Sequence, residues 1–73
     1  MRNAQEMAEV ITLLARKKGV SVNKMVLECG AGKSLIDNMK RGRDPSASKL
    51  KLVADYLGVT VDYLLTKDEN EFR

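Results

Sequence analysis

Histidine and tryptophan are absent, and cysteine and proline occur once each. No apolar run approaches the roughly 20 residues needed to span a bilayer. Without histidine, most zinc sites and every histidine-based catalytic arrangement are excluded. Cys29 alone cannot form a disulfide within the chain, and its place on the apolar face of a predicted helix reads as packing. The opening residues MRNAQEMAEV are acidic and polar where a secretory leader would be apolar, so a cytoplasmic location is expected. Seventy-three residues make one small domain, too short for a deep catalytic cleft. No enzymatic activity, metal or cofactor is expected.

What the chain does have is an uneven charge. Its net charge of +3 hides a basic stretch followed by an acidic end. From Arg16 to Arg43, eight bases (Arg16, Lys17, Lys18, Lys24, Lys33, Lys40, Arg41, Arg43) face two acids (Glu28, Asp37), a balance of +6. From Asp62 to Glu71, four acids face Lys67 alone, a balance of −3. The basic stretch points to a polyanionic partner for one face.

The periodicity is helical throughout, and nothing reads as a strand. Met7, Val10, Ile11 and Leu14 predict a first helix from about Ala4 to Lys18, stopped by Gly19. Its acids lie near its start and its bases at its end, matching the helix dipole. Ser21 caps a second helix to about Cys29, burying Val22, Met25, Val26 and Cys29. Gly30 breaks the chain, and Gly32 is expected to cap a third helix from Lys33 to about Lys40, with Ile36 and Met39 inward. Gly42 ends it, and Pro45 keeps Asp44 extended. Ser46 caps a fourth helix to Gly58 with Leu50, Val53, Ala54 and Leu57 as its stripe. Thr60 caps a fifth, Val61 to Leu65. The domain is placed at residues 1–66, with a charged tail at 67–73.

The stretch GAGKS, residues 30–34, admits two readings. A phosphate-binding loop needs a first glycine at position 27, which is Leu27, and a strand before it. A helix is predicted there instead, so nucleotide binding is not expected. The alternative is a helix-turn-helix, in which Gly30 permits the turn and the second helix of the pair offers its first residues to base edges.

Three pieces carry a family resemblance: LLARKKGVS leading into the motif, ECGAGKSLIDNMKRG for turn and second helix, and DPSASKLKLVADYLGVTVDYLL behind them. In joint order and spacing the chain resembles the lambda-repressor-like, Cro/CI-type (XRE) helix-turn-helix family, over roughly Val10 to Leu65. The resemblance implies an all-α, compact five-helix DNA-binding domain. It implies a sequence-specific transcriptional regulator of bacterial or phage (prophage) context, a repressor that covers a promoter. The chain departs from the family at four positions. Val22 replaces a frequent glutamine that contacts phosphate, and Val26 replaces a smaller residue. Ala15 and Lys40 stand where many members have an arginine–glutamate pair, so both halves are missing together.

On a helix beginning at Lys33, the residues Lys33, Ser34, Asp37 and Asn38 share the side opposite Ile36 and Met39. They are the expected base contacts, with Lys33 suited to guanine, Asn38 to adenine and Asp37 to cytosine N4. Leu35 either packs beside the fourth helix or touches a thymine methyl. Lys17, Lys18, Lys24, Lys40, Arg41 and Arg43 are the expected phosphate contacts. The partner is double-stranded DNA, bound by a weak homodimer joined through Val61, Tyr63, Leu64, Leu65 and Phe72. The other reading keeps the fold but changes the partner, giving a protein-interaction module such as an antitoxin-like subunit.

Overall fold

Five helices account for the regular structure of the computed structural model, which describes residues 2–66. They are α1 (Ala4–Lys18), α2 (Val22–Cys29), α3 (Ser34–Lys40), α4 (Ala47–Leu57) and α5 (Val61–Leu65), with no strand among the described residues. The fold is all-α, and no described helix is long and apolar enough to cross a membrane. Phe72 lies outside the described residues.

Local chemistry explains most boundaries. Asn3 and Glu6 form a reciprocal capping box at the start of α1. Ser21, Ser46 and Thr60 accept from the third helical N–H of α2, α4 and α5. The start of α3 differs from the expectation. Its N-cap is Lys33, not Gly32, with a helical backbone and no side-chain cap. Gly30 and Gly32, at φ 82° and 95°, instead wind the chain around the end of α2. The N–H groups of Ala31 and Gly32 both point at the Val26 carbonyl, 3.1 and 3.3 Å away. Left-handed φ is the reason for glycine at both positions, since each would have open space for a Cβ.

Every helix contributes at least one fully buried side chain to a single core: Ile11, Met25 and Val26, Met39, Val53, and Leu64. The hub is α1, which packs against the other four helices, while α4 also packs on α2 and α5. Five alanines (Ala4, Ala8, Ala15, Ala31, Ala54) are buried as well. Ala15 is fully enclosed and Lys40 faces solvent, so those positions make no ion pair. A neutral tie joins α1 to α3 instead: Gln5 Nε2 donates to the Lys40 carbonyl at 3.2 Å. It satisfies one of the carbonyls a helix end leaves open.

The first residues close on the last helix. Arg2 is 9% exposed, its N–H donates to the Leu65 carbonyl at 2.7 Å, and its guanidinium donates to the carbonyls of Tyr63 and Thr66. The same group sits 5.7 Å from the Tyr63 ring centre. A cation at the C-terminal end of a helix complements its dipole.

Three helices meet again at Tyr56. Its hydroxyl donates to the Glu28 carboxylate, and the Lys18 ammonium lies 5.3 Å from its ring centre. The bond to Glu28, helped by that carboxylate's charge, raises the Tyr56 hydroxyl above its ordinary 10.0. Folding therefore favours the neutral phenol. The contribution is present below pH about 10 and lost as pH rises through the folded value. In a Tyr63→Phe background, ultraviolet titration should place Tyr56 above an ordinary tyrosine, and Glu28→Gln should bring it back down. Equal midpoints in the two proteins would refute the contact.

Candidate nucleic-acid interface

Seven residues of α3 divide into two faces. Leu35, Ile36 and Met39 are buried in the core. This settles Leu35 as a packing residue with no surface for a base. At 100° per residue, Ser34, Asp37 and Arg41 then run down the middle of the outward face. All three are exposed. Lys33 and Lys40 flank them on one edge, and Asn38 on the other.

The edges are distinguishable by what they meet. Lys40 lies toward α1, where its carbonyl receives Gln5. Asn38 is half-buried and lines a small cleft of about 150 Å³ with Arg43, Pro45, Ser46 and Lys49. That cleft joins the second half of α3 to the start of α4. The Asn38 carbonyl holds the returning chain by accepting from the N–H groups of Arg41 and Arg43, at 3.1 and 2.9 Å.

Of the expected base contacts, Lys33, Ser34 and Asp37 are presented together and fully outward, while Asn38 sits at the rim with part of its surface covered. Among the expected phosphate contacts, Lys40, Arg41 and Arg43 surround the same face. Arg41 extends the central line of Ser34 and Asp37 rather than sitting at its margin. Lys17 and Lys24 are exposed on other elements, at the end of α1 and the start of α2. Lys18 is directed onto the Tyr56 ring. Lys49 and Ser46 join the site unannounced by the sequence reading. They are close only because the loop from Arg41 to Pro45 folds back, which no helical period reveals.

The charge here is positive but mixed. Lys33, Lys40, Arg41, Arg43 and Lys49 are five bases against Asp37 and Asp44, a balance of +3 within one surface. A polyanion is attracted to such a surface, and Asp37 in its middle repels phosphate while suiting a hydrogen-bond donor such as an amino group. The GAGKS segment has α2 before it, where a phosphate-binding loop has a strand.

The expected dimer surface on α5 needs one correction. Leu64 is fully buried and belongs to the domain's own core, so it offers nothing to a second copy. A five-residue helix must spend its best apolar side chain on holding itself to α1 and α4. Val61, Tyr63 and Leu65 are half-buried. Comparisons of the chain with protein-family models, curated proteins and solved structures find no match.

Proposed function

We propose that this domain is a sequence-specific DNA-binding regulator that lays α3 in the major groove, as the resemblance to lambda-repressor-like domains implies. The observation that carries the reading is the division of α3. Three apolar residues lock one side into the core, while Lys33, Ser34, Asp37 and Arg41 stand outward among further bases. A short rigid helix with a polar outward face and a cationic surround is what reading base edges between two phosphate backbones requires. One such helix reads few base pairs, so the proposal includes two copies on a two-fold site.

Selection from a random DNA pool, followed by titration of the selected duplex, tests this. Lys33→Ala should relax base preference at one or two positions and cost about 1–3 kcal/mol. Asn38→Ala should act at the lower end of that range, because part of Asn38 faces the α4 cleft. Arg43→Ala should weaken all sequences alike. No selected sequence, or a selected sequence unchanged by Lys33→Ala, defeats the assignment.

A protein-interaction module of the same fold is the second reading. It is favoured by Leu13, Leu27 and Leu52, which are 54%, 57% and 41% exposed.

A further inference from the structure

A shallow groove of about 650 Å³ runs along the solvent side of α1, bounded near Gln5 by Lys40 of α3. Its floor and walls include Glu9, Thr12, Leu13 and Arg16. None of the expected base contacts lies in it. Leu13 is more than half exposed, although the helix could have offered solvent a polar residue at that position.

Glu9 and Arg16 flank that leucine. Both are exposed, and among the described residues neither has an ion pair or a hydrogen bond from its side chain. Leu13 follows Glu9 by four residues and precedes Arg16 by three, so all three share one helical face. The two charges stand about 10.5 Å apart along the axis, nearly two turns.

This pattern is complementary to itself when reversed. A second α1 laid antiparallel, with the two-fold axis between Thr12 and Leu13, sets Glu9 against Arg16 of the other copy and Arg16 against its Glu9. Thr12 of each copy then lies opposite Leu13 of the other at the centre. Two opposite-charge pairs close over an apolar middle. A parallel copy in register would put like charges together. An anion would meet Glu9, and a cation would meet Arg16. A surface with both signs placed symmetrically about an apolar centre suits an isologous contact, where each patch meets itself.

We propose that this face of α1 is the surface through which two copies of the chain associate. The proposal stands on α1 alone and does not rest on the DNA-binding reading. The α5 surface competes poorly, since Leu64 is withdrawn into the core. One helix face buries little area, which places the contact in the weak class below about 1,200 Å² in total. Association therefore belongs at high protein concentration.

The test uses the full chain without DNA, by sedimentation velocity from about 10 μM to about 1 mM, a range that brackets weak affinities. The expected result is concentration-dependent dimer. Glu9→Arg and Arg16→Glu should each weaken it by about tenfold, because each turns two attractive pairs into repulsive ones. The double variant should return the dimer to within about threefold of the original, since the pairs are restored in exchanged positions. Leu13→Gln, a neutral change on the same face, should also weaken it. Helical circular dichroism should be unchanged in all four, as each side chain is at the surface. A monomer throughout the range would overturn the proposal. Dimer formation indifferent to the single reversals would assign it to another surface, Val61, Tyr63 and Leu65 included. Failure of the double variant to recover would exclude the antiparallel register.

Discussion

Leu64→Ala is expected to destabilise the domain by about 2–5 kcal/mol, the usual cost of a leucine truncated in a core that cannot collapse around the void. Leu64 is fully enclosed and is the sole buried residue of α5. That helix has five residues, too few to persist in water without tertiary support. Its other anchor is Arg2, which holds the carbonyls at its C-terminal end. Domains of this size have total stabilities of about 3–10 kcal/mol, so one truncation removes much of the margin. The thermal midpoint should fall by about 10–30 °C, since each kcal/mol moves a small domain by about 4–8 °C. Thermal and urea unfolding followed by circular dichroism will measure it. The loss should be the same at every protein concentration. A loss that vanished on dilution would return Leu64 to an interface between copies.

The second large effect concerns salt. If the surface around α3 neutralises about four to six phosphates per copy, affinity for a selected duplex should fall with a log–log slope of about −4 to −5 for each copy bound. Between 50 and 200 mM salt that is a loss of about 250- to 1,000-fold. The bases available for it are Lys33, Lys40, Arg41, Arg43 and Lys49 on the α3–α4 surface, with Lys17 and Lys24 beyond. Removing Arg43 should shallow the slope by about one. Lys18→Ala should change it little, because that ammonium is already placed over Tyr56. Fluorescence anisotropy over a salt series decides the matter. A slope near zero is incompatible with DNA as the partner of this surface.

The two expectations separate what kinds of information the chain carries. The termini of α1, α2 and α4 were legible because each is written locally. A capping side chain, an apolar residue every three or four positions and a glycine beyond the end all lie within one or two turns. The same periodicity located the outward side of α3, since Ile36 and Met39 define its inward side. The division of the +6 stretch was less legible. Lys18 belongs to the same basic run as Lys17, yet a tyrosine far along the chain claims its side chain.

By itself, then, the sequence determined the helices, most of their caps and most apolar stripes, because helix formation is decided by neighbours three and four residues apart. It also determined that one stretch, from Arg16 to Arg43, carries an excess of basic side chains. Only the tertiary structure decided how these are spent. Leu35 and Leu64 went into the core, because short helices must bury their large apolar residues on both flanks of the stripe to stay attached. Ala4, Ala8 and Ala15 were buried because α1 is the hub, and small side chains let four helices approach it. Arg2 became a clamp on α5, and Lys49 joined Asn38 and Arg43 at one cleft, through contacts between residues distant in the chain. Such pairings have no period to betray them. They exist only once the helices have packed and the ends of separate elements share a surface.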